Sequence, residues 1–310
     1  MKVGIPSSFC YIGLERFLVD FLSKISNDLE IVISGSTTNE MVELGLQNSI
    51  EEICIPAKLL IGHVEYLAKY KKVDTILLPR LTSLRYRTYS CPKIIGIPDL
   101  VKTHYTNMKI ISPELNLRNG MSYVNDFLVE LGNYFTNDKR QLKKILEYFV
   151  NYKLLEYLPP IVEEKKNILV LGHSYVIFDS NLNKGILQII KSSGYNPIYP
   201  LYTHISDKNI ALELPKPLFW STAQDIYEYF YWAKKNLTLD GVIYLMTFGC
   251  GIDSILEELI RRRCKVLNLP YLCITLDEHS ANVGIQTRIE AFIDMIEWRR
   301  EDENYISTHG

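Results

Sequence analysis

The 310-residue sequence predicts an α/β protein of two Rossmann-like domains, with largely parallel sheets and helices on both faces. Three observations support this. Strand-like and helix-like segments alternate through both halves of the chain. The length suits two domains of roughly 150 residues each. The alternation breaks at "LPPIVEEKKN", where paired prolines and charge interrupt the periodicity before a new strand begins. The expected boundaries are an N-terminal α/β domain over 1–136, a bridging helix and linker over 137–165, and a C-terminal α/β domain over 166–310.

In the N-terminal half, "KVGIP" reads as a strand and "YIGLERFLVDFLSKI" carries apolar residues at helical spacing. "LEIVIS" is a second strand, followed by the helix-like "NEMVELGLQNSI". "PAKLLIGHVEYLAKY" is a helix with Pro56 suited to its first turn. "VDTILLPRL" and "KIISPEL" are short buried-type strands. "NGMSYVNDFLVELGNYF" and the charged, amphipathic "DKRQLKKILEYFVNYKLLEYL" are helical. After the linker, "NILVLGH" is a strand, "NKGILQIIKSSG" a helix ending at Gly194, and "NPIYPLY" a strand. "TAQDIYEYFYWAKKN" is a helix and "GVIYLMT" a strand. "GIDSILEELIRRR" places Ile252, Ile255, Leu256, Leu259 and Ile260 at the offsets of one helix face. "YLCITL" is the last strand and "IQTRIEAFIDMIEWRR" the closing helix. Each half opens on a Lys-led strand ending in a Gly-x-Pro or Gly-His turn, a hint of duplication.

Composition narrows the function classes. Hydrophobic residues make up 47% and charged residues 23%, ordinary for a soluble globular chain. The net charge of −2 gives no electrostatic footprint for nucleic acid or an anionic membrane. Nothing resembles a signal peptide, and no apolar stretch approaches the roughly 20 residues of a membrane span. A cytoplasmic protein is expected. Six cysteines without CxxC spacing argue against a zinc ribbon, and in a cytosolic chain they suggest buried thiols, metal ligands or nucleophiles.

Ligands of open α/β sheets bind beyond the carboxyl ends of the strands, so the residues following each strand matter most. Cys91 follows "ILLPRLTSLRYRTYS", and Cys250 lies in "TFGCGIDS" between Gly249 and Gly251, where a strand hands over to a helix. Cys54 precedes Pro56 at a helix start. These three thiols fall at element junctions, whereas Cys264 and Cys273 read as structural and Cys10 as ambiguous. Each of the three also fits a small buried apolar residue in a tight turn. As a set they suit an iron–sulfur cluster; a Cys3His zinc site completed by His63, His173 or His279 is the rival. "GHSYVIFD" offers His173 to a substrate or a cluster, or as a helix cap. "LDEHS" offers Asp277, Glu278 and His279 as an acid–base group, although Asp277 or Ser280 could equally cap the next helix. His63 reads as a packed helix histidine. Lys58 and Lys93 stand near the junction thiols and could offset a cluster's negative charge.

The runs "EEICIPAKLLIGH", "LLPRLTSLRYRTYSCPKIIGIPDLV", "GHSYVIFD", "MTFGCGIDS" and "LDEHSANVGIQTRIEAF" resemble the acyl-CoA dehydratase activase-related proteins. That family sits within the group of 2-hydroxyacyl-CoA dehydratase components and double-cubane cluster proteins. The resemblance runs from about Lys2 to Trp298. It implies a 4Fe-4S or double-cubane cluster between two α/β domains, with Cys54, Cys91 and Cys250 matching the family's Cys-x-Pro-x-Lys, Ser/Thr-Cys-Pro-Lys and Phe-Gly-Cys-Gly positions. Gly249 and Gly251 would let the backbone wrap the cluster. Ser7 stands where relatives usually carry an arginine, which puts that arginine's role in doubt here. No Walker loop or GxGxxG fingerprint is present. The resemblance therefore implies a separate ATP-dependent activase as electron donor, and a homodimer or a heterodimer with a related chain. It leaves two roles open: reductase- or dehydratase-type chemistry on a small molecule, or electron transfer within a larger complex.

Overall fold

The computed structural model describes residues 1–8, 14–120, 122–149, 166–200, 214–278, 280 and 282–309. They form two compact units, one containing the described residues up to 149 with 214–225, the other containing 166–200 and those from 226 onward. The linker expected at "LPPIVEEKKN" lies almost wholly outside the described residues, as do Cys10 and His279.

The first unit is built on a four-stranded sheet. Its strands are β1 (Lys2–Ile5), β2 (Glu30–Ile33), β3 (Thr75–Leu77) and β5 (Lys109–Ile111), in the order β2-β1-β3-β5 with every pairing parallel. Helix α1 (Leu14–Ile25) buries Phe17, Leu18, Phe21 and Leu22, the residues that helical spacing puts on one face. Phe149, at the end of α6 (Lys139–Phe149), meets Phe17 and Phe21 edge-on with ring centroids 5.3 Å from each. Helix α6 also packs on α5 (Tyr123–Asn133), where Leu142 lies against Gly132.

Two strands expected to be continuous are each interrupted. Pro79 separates β3 from β4 (Arg80–Ser83), and Pro113 separates β5 from β6 (Glu114–Asn116). A proline has no N–H to give the ladder. The strands break in step and pair again beyond the breaks, with Leu78 N–H donating to Ile111 (2.8 Å) and Arg80 N–H to Pro113 (2.9 Å). The helix α4 (Pro92–His104) has no counterpart in the periodicity reading, because Gly96 and an interior Pro98 disguise it.

Helices α2 (Asn39–Gln47) and α3 (Ile55–Lys69) cross at two glycines. A Cβ on Gly62 would run into the Met41 carbonyl, and one on Gly45 into the Lys58 carbonyl. Only bare backbone permits this approach. His63, 1% exposed, sits beside the crossing, with Ser34 Oγ 2.7 Å from its Nδ1 and Thr37 Oγ1 2.9 Å from its Nε2. It is a packed histidine, as expected.

The second unit carries β7 (Asn167–Gly172), β8 (Asn196–Ile198), β9 (Gly241–Thr247) and β10 (Tyr271–Leu276), all parallel in the order β10-β9-β7-β8. Its helices are α7 (Ser174–Ile177), α8 (Ile186–Ser192), most of α9 (Ser221–Asn236), α10 (Gly251–Val266) and α11 (Asn282–His309). Counted along the chain, both sheets read second, first, third, fourth, which agrees with the duplication hinted at by the sequence. In each, the strand order reverses between the first and third strands, β1/β3 and β7/β9, the switch point where such sheets bind ligands. Helix α10 buries Ile252, Leu256, Ile260 and Cys264, but Ile255 is 51% exposed, so the apolar stripe is narrower than the sequence suggests. No described helix is long and apolar enough to cross a membrane.

Two measurements check these packing assignments. Gly62→Ala should lower stability by about 3 kcal/mol, the upper range for overpacking, read as a fall in the urea midpoint. Burial lowers the His63 pKa from 6.5 to about 4. The unfolded chain therefore binds the proton first, and stability falls as pH drops from 6.5 towards 4. The loss should total roughly 3 kcal/mol, and His63→Gln should flatten that part of the profile.

Candidate metal centre

Cys54, Cys91 and Cys250 share one local geometry: each is the N-cap of a helix of at least three turns, α3, α4 and α10. Each has extended or near-extended backbone, with ψ of 150°, 138° and 107°, and each carbonyl accepts the first helical bonds. Pro56 and Pro92 occupy the first turns of α3 and α4, where a missing N–H costs nothing. All three are half-buried and none is in a disulfide. Helix N-termini present unpaired N–H groups and partial positive charge, which favour thiolate and anionic metal–sulfur groups.

In the second unit the thiol is part of a buried cluster at the β7/β9 switch point. Gly172 ends β7 at φ 151°, and a Cβ there would lie 2.8 Å from the Leu245 carbonyl oxygen, so a glycine lets β7 close on β9. His173 follows at 1% exposure, its ring stacked on Tyr175 at 5.0 Å. His173 Nε2 lies 3.8 Å from Cys250 Sγ and 3.3 Å from Asp253 Oδ1. The three ligand atoms of His173, Cys250 and Asp253 all fall within 4.8 Å of one another.

Asp253 is fully buried and holds this corner together. Its Oδ1 accepts from the Tyr244 hydroxyl (2.8 Å), and its Oδ2 accepts from the Thr247 N–H (3.0 Å) and hydroxyl (3.2 Å). Its own N–H reaches Cys250 Sγ at 3.5 Å. The carboxylate thus closes the turn Thr247–Cys250, whose Gly249 sits at φ 76°. Burial and the Asp253 charge push the Cys250 thiol up to about 11, against the N–H groups of Asp253 and Ile252 and the Thr247 hydroxyl. The helix start alone therefore does not hold a thiolate there; a bound cation would have to displace the proton. Burial, and after it the same carboxylate, raise Tyr244 well above the usual phenol range, keeping its hydroxyl a donor.

In the first unit, Arg80 fixes the start of α4. It donates to both Asp99 oxygens (2.5 and 2.8 Å) and to the Ile95 carbonyl (2.8 Å). The loop entering Cys91 is clamped to residues 219–225: Tyr89 N–H donates to Phe219, Ser221 N–H to Tyr89, and Arg85 pairs with Asp225 at 2.7 Å. Beside Cys91, Ser90 Oγ is buried without a hydrogen-bond partner among the described residues. The same holds for His173 Nδ1 and Ser174 Oγ, so three of the few such atoms flank sequence-selected residues.

The other candidates divide. Lys58 is buried on α3, four residues beyond Cys54, whereas Lys93 is exposed. Gly251 has no positive φ, and a Cβ added to it would meet nothing within 4 Å among the described residues, so their packing does not explain its glycine. Asp277 engages Ser280, whose hydroxyl donates to Oδ1 (2.8 Å) and accepts the Asp277 N–H (2.9 Å). That is the capping-type turn weighed against an acid–base role. Glu278 is half-buried in the same turn. Cys264 is buried and Cys273 half-buried, and burial lifts both thiols, to about 12 and about 11.

Sequence reasoning missed Asp253. The available signal was an acidic residue at the third position of a helix, where a side chain reaches back to the cap. The periodicity reading placed Ile252 on an apolar helix face and gave Asp253 no role.

Two family models match the chain. The CoA enzyme activase uncharacterised domain matches residues 2–201, and the 2-hydroxyglutaryl-CoA dehydratase D-component matches residues 121–296. No curated protein matches it.

The Asp253 network has a measurable consequence. Tyr244→Phe removes one donor to a buried carboxylate and should cost about 1.5–3 kcal/mol, read by chemical denaturation. Thr247→Val, which leaves the backbone donor in place, should cost less.

Proposed function

The chain belongs to the family described by the CoA enzyme activase domain and the 2-hydroxyglutaryl-CoA dehydratase D-component, and from that premise we propose that it carries an iron–sulfur cluster. Cys54, Cys91 and Cys250 would be its protein ligands. The observation carrying this reading is that all three thiols cap helix N-termini. The donor set fits: thiolates suit iron–sulfur clusters, and three of them leave an iron open to a further ligand. The buried unpartnered atoms of Ser90, His173 and Ser174 supply hydrogen-bonding capacity beside those ligands.

When bound, the cluster supplies one-electron chemistry at low potential. The chain's own residues do the rest. Helix starts set where each thiolate stands, and their dipoles offset the negative charge of the thiolate–cluster assembly. Buried Lys58 adds a cation to the helix that Cys54 caps. His173 approaches Cys250 and can donate a hydrogen bond towards sulfur. The given sequence carries no phosphate-binding loop, so the electron donor in this reading is an ATP-dependent activase. The reaction served is reductive chemistry on a small molecule, with His173, Glu278 and His279 as proton-handling candidates. The engagement of Asp277 by Ser280 favours a second reading, an electron-transfer or cluster-carrying subunit within a dimer with a like or related chain.

Anaerobic reconstitution followed by iron and sulfide analysis tests the cluster. About four irons per chain is the expected result for one cubane and about eight for a double cubane. Alanine at Cys54, Cys91 or Cys250 should remove most of the iron and the reduced-state EPR signal. Unchanged iron in all three variants would refute the assignment.

A further inference from the structure

The contacts inside the His173–Cys250–Asp253 corner are long for direct bonds and leave room for a shared ion. His173 Nε2 to Asp253 Oδ1 is 3.3 Å, beyond the usual range for an N–H···O bond, and Nε2 to Cys250 Sγ is 3.8 Å. Nitrogen, sulfur and oxygen ligands about 2.0–2.3 Å from one tetrahedral ion stand roughly 3.3–3.7 Å apart. The nitrogen–oxygen separation of 3.3 Å sits at that spacing, the nitrogen–sulfur separation of 3.8 Å is just above it, and all three candidate ligand atoms lie within 4.8 Å of one another.

The lone pairs also agree. The two Asp253 oxygens offer about four acceptor positions. Tyr244 occupies one and Thr247 two, which leaves one on Oδ1, the oxygen nearest His173. Those donors fix the carboxylate as outer-shell partners fix a metal ligand. Among the described residues the basic side chain recorded within 4 Å of this buried carboxylate is the buried His173 ring. A buried carboxylate beside a thiol calls for positive charge. Cys250 is half-buried, so the corner is not sealed within the core.

We propose that the second unit by itself binds one divalent first-row transition ion through His173 Nε2, Cys250 Sγ and Asp253 Oδ1. In a cluster-bearing protein this is the landing site of the first ferrous iron. On binding, the Cys250 thiol proton leaves to solvent and His173 keeps its proton on Nδ1, so no electron is transferred. The site shares Cys250 with the proposed cluster but needs neither Cys54 nor Cys91, so the two readings fail separately.

Metal-free full-length protein is titrated anaerobically with Co2+, following sulfur-to-cobalt charge-transfer absorption and the tetrahedral ligand-field bands. About one ion per chain is expected, and the Cys54→Ala/Cys91→Ala double variant should bind it unchanged while failing to assemble a cluster. Cys250→Ser should abolish the charge-transfer band. Asp253→Asn and His173→Gln should each weaken binding, and Tyr244→Phe, which only loosens Asp253, should weaken it roughly 10- to 100-fold. No Co2+ binding by the wild type would overturn the site. So would loss of binding in the Cys54/Cys91 double variant, or full affinity in both Asp253→Asn and His173→Gln. A double variant that still assembled the cluster would overturn the cluster reading and leave this site standing.

Discussion

A cysteine that caps a helix can go only where the helix begins, and that constraint fixes where three of this protein's thiols stand. The N-cap residue is extended while its carbonyl already serves the first turn, so its side chain projects among the N–H groups that the helix leaves unpaired. Cys54, Cys91 and Cys250 all obey it. Placing the thiols is therefore a matter of placing α3, α4 and α10. Most of the unusual packing does that work.

Each helix is held by a different device. Helix α3 is set by backbone approach, since Gly45 and Gly62 let it lie against α2 closer than any side chain would allow. Helix α4 is set by charge, through the Arg80 fork on Asp99 and the Ile95 carbonyl, and by the loop clamped onto residues 219–225. Helix α10 is set by the buried Asp253 carboxylate, which ties its first turn to the end of β9. A one-sided loss at such a buried group costs more than the net worth of the bond, because the remaining partner stays desolvated.

The two units share one strand order, and each reverses it between its first and third strands. The reversal opens a crevice beyond the carboxyl ends of two neighbouring strands. In the second unit His173 and Cys250 come from those strand ends, which is why residues 77 positions apart meet. In the first unit Cys91 caps the helix after the third strand, the same topological place that Cys250 takes in the second.

Alternation of strand and helix, the parallel sheets and the buried β9 run were legible in the sequence because burial imposes period and length on local residues. The junction thiols were legible too, since a cysteine beside proline or glycine at a strand–helix boundary is a local pattern. Three features were not. The α4 helix hides behind Pro98, which tertiary packing tolerates although propensity does not. The in-step proline breaks of β3/β4 and β5/β6 depend on pairing between strands far apart in the chain. Asp253 reads as a polar residue at a helix edge until Tyr244, Thr247 and His173 gather around it. The sequence by itself determined which residue types stand at the helix starts. Only the tertiary structure decided which of them meet, because the hydrogen bonds and close approaches at those helix starts are set by the register of β7 on β9, a long-range pairing that no local pattern encodes.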